Sequence, residues 1–242
     1  MRVSLKIMWM LCVLSLVVLW AASPSWGVVE TFDGPPAGTV VAGDLPQGGT
    51  APGTTFSDFD VSVINNSGPQ SCIIFDSSSP TGQDWDLGTP NQDFGGPGIG
   101  SGGLAGEPGE NAVALGNLLI IAEDLGDANL DDIVDDPDDE RDGGSIAFLF
   151  HSPAQPVSIT LVDIDEQLLG LDMDGGGALE ISVQGSAAGN NSVQKVDLTN
   201  YNLVSSIRIN FIGSGAIGEI EYRTPTTATE ETSWTTVKEL FR

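Results

Sequence analysis

Beyond residue 27 the chain is a succession of short apolar runs cut by glycine, proline and aspartate. Val204–Phe211 alternates cleanly: Ile207, Ile209 and Phe211 fall on one side, Arg208 and Asn210 on the other. That is the period of a strand with one buried face. Ile146, Phe148 and Phe150 repeat the pattern. The runs predict strands over Val28–Phe32, Thr54–Ile64, Cys72–Phe75, Asn117–Ala122, Ser145–His151, Val157–Asp163, Ala178–Gln184, Ser192–Leu198, Val204–Phe211 and Gly218–Tyr222. No long amphipathic helix interrupts them. With 31 glycines and 14 prolines to make turns, the expected fold class is all-β, an antiparallel β-sandwich of jelly-roll type. Two long insertions break the rhythm. Gly88–Asn111 is rich in Gly, Pro and Asn without apolar period and reads as a mobile surface loop. Asp124–Gly144 is acidic. Long loops on a rigid β scaffold are where function usually sits.

The two ends read differently from the middle. Arg2 and Lys6 precede an apolar run, Ile7–Ala22, then Pro24 and small residues suited to cleavage before Val28. This is the layout of a secretory signal over residues 1–27, and the run is shorter than the ~20 residues of a spanning helix. A secreted chain with no membrane span after cleavage is expected, its β domain over 28–223. From Thr224 the composition turns to Thr, Pro and Glu, a linker, followed by a short helix over Trp234–Arg242 that Ser233 can cap. That tail, 224–242, either docks on the domain or serves as a recognition peptide.

Charge narrows the partners. Two of the eight basic residues lie in the leader, so the remaining chain sets 34 acidic residues against six basic ones, a net charge of −28. Such a chain repels nucleic acid and anionic lipid and attracts cations. Cys12 leaves with the leader, so Cys72 has no intramolecular partner and reads as a small buried hydrophobe.

The acid is clustered. Numbered from Asp127, the acidic loop places Asp127, Asn129, Asp131, Asp135 and Asp138 at positions 1, 3, 5, 9 and 12, with the carbonyl of Ile133 at position 7. Alternating oxygens in a curled loop suit a hard cation such as Ca²⁺, which takes six to eight. The pattern Asp-x-Asn-x-Asp-x-x-Val-Asp-x-x-Asp resembles the calcium loop of dockerin modules, and that resemblance implies Asp127, Asn129, Asp131, Asp135 and Asp138 as ligands. It departs at position 6, where Asp132 must take a left-handed turn usually given to glycine, and in the absence of a second repeat and of an exiting helix. Smaller acidic groups follow strands: Asp84-Trp85-Asp86, Asp163-Ile164-Asp165-Glu166, where alternation would put Asp163 and Asp165 on one face, and Asp172-Met173-Asp174-Gly175. Any of them could complete a cation site at the sandwich edge.

Over most of Val28–Tyr222 the chain also resembles a group of secreted bacterial β-sandwich surface domains of unassigned function. The residues that carry this are Thr31-Phe32-Asp33-Gly34, Ile74-Phe75-Asp76, Asp84-Trp85-Asp86-Leu87-Gly88-Thr89-Pro90, Asp136-Pro137-Asp138-Asp139-Glu140 and Leu161-Val162-Asp163-Ile164-Asp165. The resemblance implies a sandwich and a structural or surface-interaction role. Analogy with the jelly-roll of carbohydrate-binding modules adds an alternative, a surface polysaccharide rather than another extracellular protein as partner. Enzymatic chemistry finds little support, a hydrolase using paired carboxylates being the least favoured of the three readings. His151 is the one histidine, there is no Gly-x-Ser-x-Gly elbow, and the glycine-rich stretches lack a following helix to bind phosphate.

Overall fold

A computed structural model describes residues 27–165, 168–184 and 188–225. The expected leader up to residue 26, and the expected linker and tail helix from residue 226 on, lie outside the described residues. Twelve strands carry the described chain: β1 (Gly27–Glu30), β2 (Val40–Asp44), β3 (Thr50–Pro52), β4 (Phe59–Asn65), β5 (Ser71–Asp76), β6 (Asn117–Ile121), β7 (Gly144–Val162), β8 (Leu168–Asp172), β9 (Ile181–Gln184), β10 (Val193–Asp197), β11 (Val204–Phe211) and β12 (Ala216–Arg223). Apart from these there are two 3₁₀ turns, Trp85–Leu87 and Gln92–Phe94. Every strand pair is antiparallel. The fold is an all-β sandwich.

One layer runs β3-β2-β5-β6-β12-β7, with β10 beyond β7 and β1 pairing along β12. The other runs β4-β7-β11-β8-β9. The 19-residue β7 belongs to both. Its first half, Gly144–Phe150, lies between β4 and β11; its second, Gln155–Val162, lies between β12 and β10. The sequence expects two strands here, because Pro153 and Pro156 each remove a ladder donor. The structure joins them into one bent strand, and the register on β12 slips between Glu221 and Tyr222, where Pro156 sits opposite. The sequence also leaves out β2, β3 and β8. Two of these hold only three and five residues and lean on Gly43 or Pro52, and β8 runs straight into an acidic turn.

The main core fills the space between the layers. Phe32, Phe56, Phe59, Phe148, Phe150 and Tyr222 pack as one aromatic group, with Phe59 and Phe148 edge to face at 5.1 Å. The alternation in β11 buries Ile207, Ile209 and Phe211 as the pattern predicts. Cys72 is buried among them. A second apolar cluster lies on the other side of β5 and β6: Val40, Ile73, Phe75, Leu118, Ile120 and Ala216, roofed by Leu87 and Val134. Buried on both faces, β5 and β6 are apolar at nearly every position rather than alternating. The roof comes from two loops, and each anchoring side chain sits inside one of the acidic motifs.

Candidate functional site: an acidic cleft over the second core

Two acidic segments distant in sequence meet beside this roof. Asp84 precedes the 3₁₀ turn that drives Leu87 into the core. Asp138 and Asp139 lie in the second half of the acidic loop, whose Val134 is buried in the same cluster as Leu87. The segment is clamped to both neighbours. The Glu123 amide donates to the Asp138 carbonyl at 3.0 Å and the Glu140 amide to the Ile121 carbonyl at 2.9 Å, extending the β6 ladder. On the other side the Thr81 hydroxyl donates to the Pro137 carbonyl at 2.8 Å, the Gly82 amide to Asp136 Oδ1 at 2.9 Å, and the Asp139 amide to Asp84 Oδ2 at 2.8 Å. Gly82, at φ 62°, passes so close that a Cβ there would come within 2.7 Å of the Asp138 Cβ.

The result is a cleft of ≈ 370 Å³ lined by Asp84, Asp86, Glu123, Asp138, Asp139 and Arg141, among others. Asp84, Asp138 and Asp139 each bring a carboxylate oxygen within 4.8 Å of the others. Asp139 is buried, its Oδ2 accepting the Gly215 amide at 2.5 Å. Arg141 leaves this negative charge uncompensated, its side chain exposed and turned to Asp142 at 3.6 Å.

The electrostatic consequence is large. Burial pushes the Asp84 carboxyl up to about 8; the Asp139 amide opposes this, while Asp138 and Asp86 add repulsion. Asp138 rises to about 6, by burial first and then by repulsion from Glu123, Asp124 and Asp136, although its hydrogen bond with Asp84 pulls it down. Asp139 is raised well above the carboxylate range by burial and by the charges of Asp84, Asp163 and Asp86, against the Gly215 amide. Asp165, at the end of β7, is raised by burial and by Asp86. The Asp163 and Asp165 motif thus feeds the same negative region. It does so from beyond the strand, since Asp163 turns at φ 58°, and not as two residues sharing a sheet face.

A second group, Asp172, Asp174 and Glu180 on the β8–β9 hairpin, also brings three carboxylates within 4.8 Å. Its chemistry is opposite. Asp172 accepts the amides of Gly177, Gly175 and Asp174 at 2.7, 2.8 and 3.3 Å, and Glu180 accepts the Met173 amide. Although burial works to raise it, these amides and Arg208 hold Asp172 below its ordinary value. The hairpin therefore satisfies its own carboxylate with backbone amides, whereas the cleft buries its carboxyls against one another.

The loop singled out by sequence is curled as its spacing predicts. Asp127 sits at its centre: Oδ1 accepts the amides of Leu130 and Asp131, and Oδ2 accepts those of Asp132 and the Gln47 side chain. Asn129 accepts the Asp131 amide, Asp131 the Ile133 amide and Asp135 the Ala128 amide. Asp132 takes the left-handed turn at φ 64°, as does Leu130. Ile133 bridges to Thr39. Burial would raise Asp127, but the Asp132 amide, Gln47 and the Asp131 and Leu130 amides hold it low. Among the described residues Asp127, Asp131 and Asp135 do not gather an oxygen each within 4.8 Å, and Asp138 joins Asp84 and Asp139 instead. Sequence reasoning marked Asp84 and Asp138 separately; no spacing rule could pair residues 54 positions apart, and Asp139 entered only within the resemblance motif Asp136-Pro137-Asp138-Asp139-Glu140.

No protein-family model matches the chain, and no curated protein does. Among solved structures, one similar to part of it is "CpGH89CBM32-6 produced by Clostridium perfringens", 19% identical, covering 36% of this chain and 74% of that one with a TM-score of 0.27. An overlap this slight transfers neither a fold nor a ligand. Among the described residues no helix is long and apolar enough to cross a membrane.

Proposed function

We propose that this chain is a secreted, calcium-stabilised β-sandwich with a structural or surface-interaction role rather than an enzyme. One observation carries the reading: Asp84, Asp138 and Asp139 converge in a cleft where burial and mutual repulsion hold protons on groups that a cation would take over. Ca²⁺ suits the site better than Mg²⁺. The oxygens come from separate loops and cannot impose the tight octahedron that Mg²⁺ demands, and Ca²⁺ accepts an irregular, partly hydrated shell. Cation binding would replace the protons, neutralise the cleft, and tie the 81–86 turn to the 136–140 segment. The curled loop around Asp127 is a second cation position, weaker because its carboxylates already accept backbone amides. A carbohydrate-binding role has one feature in its favour, Trp85, half-exposed beside the cleft; a lone aromatic is less than the platform that glycan stacking uses.

Thermal melts in EDTA, in millimolar Ca²⁺ and in Mg²⁺ test the proposal. Ca²⁺ should raise the melting temperature more than Mg²⁺, as a ligand that binds only the folded state must. Asp84→Asn/Asp138→Asn should lose most of that rise, and Asp127→Ala/Asp131→Ala only a minor part. An identical melt in all three solutions would refute the cation site. A rise lost only in the second double variant would move the site to the Asp127 loop.

A further inference from the structure

The long loop between Gly88 and Asn111 is tied down by a buried cluster of asparagines, and Asn191 is its hub. Asn191 is fully buried and left-handed at φ 64°. Its side-chain Nδ2 donates to the carbonyls of Asp86 at 2.6 Å and Gly88 at 2.8 Å. Its Oδ1 accepts Asn91 Nδ2 at 2.7 Å and Asn111 Nδ2 at 3.2 Å, the two ends of the loop. Its own amide donates to Asp163 Oδ1 at 2.6 Å. The neighbouring Asn190 donates from Nδ2 to Asp86 Oδ2 at 2.8 Å, and its carbonyl accepts the Gly102 amide in mid-loop at 2.7 Å. Asn191 therefore holds three things at once: the turn that follows Asp84, the acidic end of β7, and the glycine-rich loop.

Asn190 and Asn191 grip the turn that carries Asp84 at the Asp86 side chain and at the Asp86 and Gly88 carbonyls. They grip the 88–111 loop at Asn91, Gly102 and Asn111. An ion that fixes Asp84 would fix that turn, and the turn's hold on Asn191 would pass to both ends of the loop. We propose that Asn191 is a positioning residue that couples cation binding at Asp84, Asp138 and Asp139 to the ordering of the 88–111 loop. The proposal rests on the cation reading above. Its consequence is that the loop, which presents Ile99 with its amide on the Trp85 carbonyl at 2.9 Å, changes its surface with calcium. Since such coupling is reciprocal, loosening the clasp must also weaken cation affinity.

Amide hydrogen exchange of Gly98, Gly102 and Asn111, with Ca²⁺ uptake measured by calorimetry, tests this in the protein and in Asn191→Gly, which keeps the left-handed backbone but removes the side chain. The wild type should exchange at least about tenfold more slowly in Ca²⁺ than in EDTA. In the variant that ratio should fall to about twofold or less, and Ca²⁺ affinity should drop about fivefold. A merely structural Asn191 would speed exchange equally in both solutions and leave the ratio intact, which overturns the proposal while the cation site stands. No Ca²⁺ uptake by the wild type removes both. Asn190→Ala, at a half-buried position, guards against a variant that does not fold: it should lower the ratio, and an unchanged ratio there with binding preserved also overturns the coupling.

Discussion

His151 is held from two sides on the outer edge of β7. Its Nε2 lies 2.8 Å from Asp60 Oδ1 on β4, and its Nδ1 lies 3.0 Å from the Ser57 carbonyl. The Asp60 hydrogen bond, helped by the Ser57 carbonyl and the charges of Asp60 and Asp58, raises its pKa above 6.5 against desolvation. A raised value means the folded state favours the imidazolium. The stability it contributes is complete below the unfolded pKa and is lost as pH rises through the folded one. An NMR titration should therefore place the His151 midpoint above 6.5, and Asp60→Asn should bring it back toward that value. A wild-type midpoint at or below 6.5 would mean the pair does not form in solution. The sequence placed this histidine on a strand beside Ser152, and its exposure agrees with a surface role; Asp60 was invisible as a partner because it is 91 residues away.

Among elements, each of the two acidic loops sends a fully buried apolar side chain into the second core. Leu87 and Val134 are buried over β5 and β6, and each stands within four residues of a cleft carboxylate. Losing such an anchor loosens the turn that holds its polar neighbours. Leu87→Ala should cost about 2–5 kcal/mol, the range for a buried leucine whose surroundings relax incompletely. It should also weaken Ca²⁺ binding, because Asp84 and Asp86 flank the same turn. Denaturant melts with and without Ca²⁺ separate the effects: equal losses in both would show that the anchor serves the core alone. The glycine-rich loop behaves differently. The composition of Gly88–Asn111 predicts mobility, yet Asn91 and Asn111 are fully buried and hydrogen-bonded to Asn191. Composition reports the lack of apolar period and is blind to polar side chains that bury by pairing with one another.

For the whole molecule the acidic cleft sets the pH dependence. Asp84 near 8, Asp138 near 6 and a raised Asp139 bind protons in the folded state that the unfolded chain releases near pH 4. Between roughly pH 4 and 8 the folded state thus holds more protons, so stability falls as pH rises. In EDTA the protein should unfold at lower denaturant at about pH 8 than at about pH 5, and saturating Ca²⁺ should close the gap by replacing those protons. His151 contributes with the same sign across the neutral range, so the comparison is repeated in His151→Gln. Stability that rises toward pH 8 in EDTA would contradict the buried, repelling arrangement of the three carboxylates.

The sequence by itself determined the class of fold and most of the strands, because period-two burial is local and the glycines and prolines mark the turns. It also determined the strongly negative net charge, since charge is a sum over residues and needs no geometry. Tertiary structure decided that β7 is one strand, because a bent strand can pass two prolines when it changes partners between layers. It alone decided which carboxylates meet. Asp138 completed a regular pattern with Asp127 along the chain, but the extension of β6 onto Asp139 and the anchoring of Leu87 and Val134 carry it to Asp84. Spacing along the chain governs which groups one loop can curl together. The apolar anchors that seat different loops on one core govern which groups finally share a cleft.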